Sequence, residues 1–220
     1  MNNLFFAQNV AMVQQSFPLS LEVSLPSAQK VRDVSAGLLE RSVALIALTV
    51  TGPIIVALAI LNRITSRGPA FYSQTRVGKD GKSFQILKLR TMVEGAERTT
   101  GAVLSWSGDP RVTTLGALLR KTHLDELPQL LNIARGEMGF IGPRPERPEF
   151  VSQFRREVPN YSLRLSVKPG VTGLAQICCP YDVSVHEKLH YDLIYLVNRG
   201  SLRLSFFILS RTLLKVAQLD

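Results

Sequence analysis

Cysteine and aromatic residues are scarce in this 220-residue chain, and their scarcity excludes two classes of protein. The only two cysteines, Cys178 and Cys179, are adjacent. Because neighbouring cysteines rarely bridge, no disulfide framework is expected, which is typical of a reducing compartment. Aromatic residues make up 7% of the sequence and do not interleave with basic residues. A surface that stacks nucleic acid bases is therefore not expected, and we predict no nucleic acid partner.

Charge is missing from one long stretch near the beginning of the chain. Residues 42–61, SVALIALTVTGPIIVALAIL, carry no charged side chain over 20 residues, about the length that crosses a bilayer core. The stretch begins too late for a secretory signal and lacks a small-residue cleavage site. At its centre, Gly52-Pro53 predicts a kink, because proline removes a backbone hydrogen bond. We therefore predict a membrane helix that breaks at this pair.

Basic residues flank the apolar stretch on both sides, with Arg41 before it and Arg63 and Arg67 after it. The positive-inside tendency would keep both flanks on the cytoplasmic face. A bent, re-entrant helix that enters and leaves through one face satisfies this tendency. An ordinary kinked helix that spans the membrane is the alternative, and these features do not separate the two.

Acidic residues are outnumbered, with 17 Asp and Glu against 26 Lys and Arg, which gives a formal charge of +9. The excess is localised, because residues 63–168 contain 18 basic and 10 acidic side chains. Such a field favours phosphates, anionic lipid head groups or nucleic acid as partners. A basic surface that serves solubility alone is the alternative.

The periodicity of the sequence predicts an α/β fold that is mostly helical with short strands. Residues 84–92, FQILKLRTM, alternate like a strand, and Gly78-Lys79-Asp80-Gly81 predicts a turn before them. Helices are expected at 115–120, 126–134, 148–158, 185–197 and 202–217, with a turn at 168–170. We divide the chain into a loosely ordered N-terminal tail with a short interfacial helix near its start (1–35), a membrane helix (36–62) and a cytosolic domain (63–220).

The last predicted helix is amphipathic and basic. One of its sides gathers Leu202, Phe206, Leu209, Leu213 and Leu214. A helix of this kind can lie in a membrane interface. Packing of the same side into a protein core is the alternative.

Asp125 and Glu126 are the first candidates for chemistry. Pro128 is tolerated only in the first turn of a helix, so a helix is expected to begin close to Asp125. Both carboxylates would then lie near unpaired backbone N–H groups, where phosphate also binds. With Arg120 and Lys121 they could hold a divalent cation and a diphosphate. A helix cap followed by a solvated acid is the alternative.

A second candidate is the stretch Gly142-Pro143-Arg144-Pro145. Two prolines stiffen the backbone around one arginine, whose planar fork of donors suits a phosphate or a base edge. The alternative is a rigid loop that merely exposes an arginine.

Several long motifs resemble those of the bacterial sugar transferase family, the monotopic phosphoglycosyl transferases. They cover about residues 40–215 in the family's order: SRGPAFYSQTRVGKDGKSFQILKLRTM, DPRVTTLG, LRKTHLDELPQLLNIARGEMGFIGPRPE, RPEFVSQF, LSVKPGVTGLAQI and EKLHYDLIYLVN. The resemblance implies a re-entrant helix on the cytoplasmic face of the bacterial inner membrane. The family commonly has Ser-Pro at the helix break, whereas this chain has Gly52-Pro53, and we expect Thr51 to substitute for the serine.

The resemblance also implies a reaction and a set of site residues. Family members transfer a sugar 1-phosphate from a UDP-sugar to polyprenyl (undecaprenyl) phosphate, release UMP and require Mg²⁺. Asp125 would be the nucleophile that forms a phosphosugar-aspartyl intermediate. Glu126 would bind the metal with Asp125 and deprotonate the lipid phosphate. The matching positions expected to bind substrate are Lys88, Arg90, Arg120, Pro143, Arg144, Pro145 and Asp192. The sugar, the pathway and the oligomeric state are left open.

The stretch HEKLH, residues 186–190, competes with this interpretation because it matches the H-E-x-x-H pattern of zinc peptidases. His186 and His190 would be ligands and Glu187 the base, but a third ligand is needed. Asp192 is close in sequence and points to a different helix face. A membrane zinc metallopeptidase is the alternative function, and a basic scaffold that binds anionic lipid or nucleic acid is a third, non-enzymatic one.

Overall fold

A computed structural model of the chain describes residues 13, 26–97, 101, 103, 106, 108–180 and 183–217. Its longest element is the 40-residue helix α1, Pro26–Thr65. This helix begins ten residues before the boundary expected at residue 36, so residues 26–35 are helical and not a loose tail. The predictions for residues 1–25 lie outside the described residues, apart from Val13, which is fully buried.

One face of α1 packs against the rest of the chain. Its buried positions recur at intervals of two, three and two helical turns, which puts them on one side: Gly37, Ala44, Ile55 and Asn62. Apolar side chains on the other sides stay exposed, and Val50 is 69% exposed. By length and composition, the segment Ser35–Thr65 could cross a membrane, with a mean hydropathy of 2.5 in its most apolar part.

Pro53 lies inside α1, and the helix continues through it. Proline removes the backbone donor that would bond the carbonyl of Thr49, four residues earlier. The hydroxyl of Thr51 donates to the carbonyl of Ala47, at 2.8 Å. Thr51 therefore bonds a carbonyl two residues before the one that Pro53 leaves without a backbone donor. It does not replace the expected serine.

A β-hairpin follows α1. Strand β1, Phe71–Val77, pairs antiparallel with strand β2, Ser83–Leu89. A 3₁₀ turn, Lys79–Gly81, joins them, with Asp80 in the left-handed region at φ 56°. The predicted strand 84–92 is confirmed up to Leu89, and the predicted turn is confirmed. Strand β1 was not predicted, because its side chains are mostly exposed and show no alternation.

Four helices form where the sequence predicts them: α2 Thr114–Lys121, α4 Pro148–Glu157, α6 Val185–Val197 and α7 Leu202–Ala217. The helix predicted at 126–134 begins later, because α3 spans Gln129–Arg135 and Pro128 is its N-cap. A 3₁₀ turn, Leu124–Glu126, precedes it.

Several short elements complete the fold. Strands β3, Gly139–Ile141, and β4, Gly170–Thr172, pair in parallel. A 3₁₀ turn, Tyr161–Ser166, and helix α5, Leu174–Cys178, lie on either side of β4. The predicted turn at 168–170 leads directly into β4. The fold is mostly helical with short strands, as predicted.

An apolar cluster brings the hairpin and α3 together. Phe84 and Ile86 of β2 pack against Ile133 of α3 and Met138, and Ala44 of α1 joins them. Because Lys88 follows Ile86 on the same face of β2, this packing carries its side chain towards the turn that precedes α3.

Helix α7 turns its other side to the core. Leu204 and Ile208 are buried in a cluster with α5 and α6. The apolar side named from the sequence is exposed instead: Leu202, Phe206, Leu209, Leu213 and Leu214. Core packing therefore does not explain that side.

Candidate active site

The 3₁₀ turn Leu124–Glu126 presents the two candidate carboxylates. His123 enters the turn in the left-handed conformation, at φ 56°, and Pro128 follows as the N-cap of α3. Both carboxylates thus lie one turn before α3 and not at the start of a longer helix, as the sequence had suggested. Burial and nearby cations therefore set the pKa values of the two carboxylates.

Glu126 is held by two cations from distant parts of the chain. Its Oε1 atom lies 2.5 Å from Nζ of Lys88 on β2 and 3.3 Å from Nη2 of Arg144. Burial raises the pKa of Glu126, but Lys88 and Arg144 outweigh burial and hold the pKa well below its usual range. Glu126 is therefore fixed as a carboxylate at neutral pH.

Asp125 has the opposite electrostatic environment. Its side chain is buried, and the residue is 7% exposed. Burial raises the pKa of Asp125 to about 6, against the opposing effect of Lys88. Among the described residues, none donates a hydrogen bond to this carboxylate. Asp125 is thus the basic, unconstrained member of the pair, with its oxygen atoms available to a ligand.

Arg120 adds a third cation near the pair. It lies on the last turn of α2, and its Nε atom donates to Oγ1 of Thr91 at 2.9 Å. Its charge lowers the pKa of Asp125. Helix α2 comes close to Thr91 at Gly116, where a Cβ atom would overlap the Thr91 carbonyl. The glycine therefore allows the approach that carries Arg120 to the site.

Arg144 lies on the loop after β3, between Pro143 and Pro145, which are both buried. Its own side chain is 46% exposed and reaches Glu126. The rigid loop predicted around this arginine is thus present, and the arginine faces the carboxylate pair.

Two of the predicted substrate-binding residues make contacts with other parts of the chain. Arg90 is buried, and its guanidinium donates to the carbonyl of Ser66, at 3.0 Å, and to that of Arg67, which ties the end of the hairpin to the residues after α1. Asp192 is 2% exposed and bonds Nε of Arg164 at 2.8 Å. The structure therefore brings Lys88, Arg120, Asp125, Glu126 and Arg144 together, and leaves Arg90 and Asp192 outside this group.

Two arginines behind the site were not predicted from the sequence. Arg76 of β1 and Arg164 of the 3₁₀ turn 161–166 both donate to backbone carbonyls of the Arg144 loop. No local pattern marked them, because their partners lie 69 and 20 residues away along the chain.

The metallopeptidase interpretation of HEKLH is not supported. His186 and His190 lie exposed on α6, and Glu187 takes part in capping that helix through Ser184. Within the described part of the chain, no group of three or more His, Cys, Asp and Glu side chains could hold a metal ion.

The carboxylate pair suits a different metal chemistry. Mg²⁺ takes oxygen ligands and is typically held by one or two carboxylates together with substrate phosphates and water. The Asp125 carboxylate and Oε2 of Glu126 accept no hydrogen bond from the described residues, so carboxylate oxygens are available to such an ion. The donor set therefore fits Mg²⁺ only in combination with a phosphorylated ligand.

Comparisons with known proteins found a matching family model and several relatives. A family model described as bacterial sugar transferase matches residues 31–219. The UDP-N-acetylgalactosamine-undecaprenyl-phosphate N-acetylgalactosaminephosphotransferase of Aeromonas hydrophila is 40% identical over 173 residues, which cover 77% of this chain and 40% of that protein.

Two further relatives carry related names. The UDP-glucose:undecaprenyl-phosphate glucose-1-phosphate transferase of Caulobacter vibrioides is 43% identical over 125 residues, covering 57% of this chain and 46% of that protein. The exopolysaccharide production protein ExoY of Sinorhizobium fredii is 37% identical over 170 residues, covering 71% of this chain and 74% of that protein. The chain thus spans less than half of the length of the first two relatives.

Proposed function

The chain belongs to the bacterial sugar transferase family, and on this premise we propose that it transfers a sugar 1-phosphate from a UDP-sugar to undecaprenyl or another polyprenyl phosphate and releases UMP. The observation that carries the proposal is the divided carboxylate pair, in which the pKa of Asp125 is raised and that of Glu126 is lowered. Neighbouring titratable groups whose pKa values are pushed apart in this way typically have separate tasks in a reaction.

Asp125 is the nucleophile in this proposal. A carboxylate oxygen of Asp125 forms a bond to the phosphorus that carries the sugar. The bond from that phosphorus to the oxygen bridging the two phosphates breaks, and UMP leaves with the electron pair. The product on the protein is a phosphosugar-aspartyl intermediate. A pKa of about 6 leaves Asp125 mostly ionised at neutral pH and more basic than an ordinary aspartate.

The surrounding cations support an attack of one anion on another. Lys88, Arg120 and Arg144 stand around the carboxylates and offset the repulsion between Asp125 and a diphosphate. When bound, Mg²⁺ held by Asp125 and Glu126 would supply further positive charge to the phosphates.

Glu126 anchors this arrangement. Its low pKa makes it a weak base, so deprotonation of the lipid phosphate by Glu126, which the resemblance implies, is disfavoured by its contacts with Lys88 and Arg144. We assign it to positioning the two cations and to binding the metal.

The second half of the reaction regenerates the protein. An oxygen of the polyprenyl phosphate attacks the same phosphorus, the bond to Asp125 breaks, and the carboxylate returns. The product is a polyprenyl diphosphate sugar. Two steps through one covalent intermediate predict ping-pong kinetics.

A membrane location is part of the proposal, and the contacts of α1 support a re-entrant helix. Glu40 accepts a hydrogen bond from the amide of Phe140, at 3.2 Å, and Asn62 donates to the carbonyl of Arg90, at 2.6 Å. Both ends of the apolar segment therefore contact the same globular body, which cannot lie on two sides of a bilayer. Gly52-Pro53 lies near the midpoint between these contacts. We place the body at the cytoplasmic face of the inner membrane, with the exposed side of α7 in the interface.

The proposed function is tested with purified protein, Mg²⁺, undecaprenyl phosphate and a panel of UDP-sugars that includes glucose, galactose and their N-acetylated amino derivatives. We expect UMP release with at least one donor, dependent on the lipid for repeated turnover. Release of UDP in place of UMP, or no nucleotide release with any donor, would contradict the proposal.

The pKa of Asp125 predicts how the rate depends on pH. The carboxylate is the reactive form, so kcat/KM for the UDP-sugar, measured at limiting Mg²⁺ so that the metal-free site is the starting state, should fall as pH drops through about 6, by about tenfold for each unit below it, and reach a plateau above. UMP release measured from pH 4.5 to 8 checks this. A rate that rises as the pH falls from 7 to 5 would show that protonated Asp125 is the active form.

A further inference from the structure

The backbone of the Arg144 loop is bonded at every carbonyl. The four carbonyl groups of residues 143–146 each accept a hydrogen bond from another element of the fold. In chain order the pairs are Gly170 N to Pro143 O (3.1 Å), Arg164 Nη2 to Arg144 O (2.9 Å), Arg76 Nη1 to Pro145 O (3.0 Å) and Val77 N to Glu146 O (2.9 Å).

The sequence of the loop explains why outside donors are needed. Pro143 and Pro145 have no backbone N–H and therefore cannot donate the hydrogen bonds of a regular β-ladder. Their carbonyls still require partners because both residues are buried. Two of the donors are arginine side chains, which can be replaced without altering the backbone.

Arg164 makes three separate contacts with its guanidinium. Nη2 bonds the Arg144 carbonyl, Nε bonds Asp192, and Nη1 bonds the hydroxyl of Tyr161 at 2.9 Å. Only a planar fork of donors can reach all three partners, and a lysine ammonium in its place cannot.

The charge of Arg164 is buried together with that of Asp192, which are 6% and 2% exposed. A buried ion pair contributes little net stability compared with apolar packing, because both charges lose water. Fixing a geometry is the better-supported use of such a pair, and here the geometry is that of the residue that contacts Glu126.

We propose that Arg164, held by Asp192, is a positioning residue that fixes the Arg144 loop so that the Arg144 side chain meets Glu126 and the donor phosphates. This inference rests on the proposed function. It places Asp192 two contacts behind Arg144, and not in contact with substrate.

The test compares four proteins in the UMP-release assay: the unchanged chain, Arg164→Lys, Arg144→Lys and the double variant. Arg164→Lys keeps a positive charge beside Asp192 but loses the bond to the loop. We expect it to lower kcat/KM for the UDP-sugar by about tenfold to 100-fold, while KM for the lipid changes less than twofold, roughly. Arg155→Lys, at an exposed position on α4, is the matched control and should leave both values unchanged.

The double variant separates positioning from a general effect on the fold. If Arg164 acts through Arg144, its substitution should have little further effect once Arg144 is already lysine, so the two losses do not multiply. Losses that multiply in full, or Arg164→Lys with the rate of the unchanged chain, would overturn the inference.

Two further measurements keep the outcome interpretable. Asp192→Asn should lower kcat/KM for the UDP-sugar and leave KM for the lipid nearly unchanged, as Arg164→Lys does. If Asp192 contacted the sugar directly, its substitution would instead change the preference among UDP-sugars. Arg164→Lys leaves buried acceptors without a donor and should lower the thermal midpoint in detergent more than Arg155→Lys, so all rates are compared at a temperature at which every variant is folded. If the unchanged chain releases no UMP, the proposed function and this inference both fail. If it turns over and the variants behave additively, only this inference fails.

Discussion

Replacing Asp125 with asparagine is expected to lower UMP release by about four orders of magnitude or more, which is the size of loss seen when an enzyme's nucleophile is removed. Asparagine has nearly the same volume but cannot form an acyl phosphate. The contacts of the site should survive, because no described residue donates a hydrogen bond to the Asp125 carboxylate. The rate is measured with the best donor from the UDP-sugar panel.

The stability of this variant serves as its own control. Burial disfavours the ionised form of Asp125, as its raised pKa shows, so a neutral side chain should leave the thermal midpoint unchanged or slightly higher. Asp80→Asn, in the exposed turn between β1 and β2, is the matched control, because asparagine tolerates the left-handed conformation found there. Retention of more than about a tenth of the activity in Asp125→Asn would remove Asp125 from the chemistry and favour a non-enzymatic scaffold.

Replacing Lys88 with methionine should give the second-largest loss, about 100- to 1,000-fold in kcat/KM, the usual result of deleting one charge-stabilising donor. Methionine keeps the length of the side chain without its charge. Glu126 then loses its closest partner, at 2.5 Å, and the site loses one of the cations that face the diphosphate.

The pH profile gives the Lys88 variant a signature that a folding defect would not produce. Lys88 is the strongest influence that lowers the pKa of Asp125 against burial. Without it, the acidic limb of kcat/KM should move to higher pH than the value of about 6 expected for the unchanged chain. Lys82→Met, exposed in the same hairpin, should show neither change. An acidic limb that stays in place or moves to lower pH would contradict the arrangement of charges described here.

The sequence predicted the elements whose periodicity is local. Helices α6 and α7 match the predicted spans, and α2 and α4 agree closely, because each is long enough for apolar side chains to recur on one face. Strand β1 was missed because its side chains are mostly exposed and show no alternation. The three-residue strands β3 and β4 carry no usable period at all.

The residues of the candidate site were likewise predicted only in part from the sequence. Lys88, Asp125, Glu126 and Arg144 were expected together, and the structure joins them although Lys88 and Glu126 are 38 residues apart. The start of the helix after Asp125 was misjudged, since Pro128 caps α3 and does not lie inside it. Arg164 and its bond to Asp192 could not be inferred, because a buried ion pair leaves no pattern in either segment.

The central claim is that Asp125 becomes covalently bonded to the phosphosugar, and intact-mass spectrometry with donor alone tests it most directly. We expect a mass increase equal to one sugar phosphate, located on the peptide that contains Asp125, absent from Asp125→Asn and discharged when undecaprenyl phosphate is added. Normal turnover with both substrates would contradict the account if the donor alone gave one UMP released per protein and no such adduct.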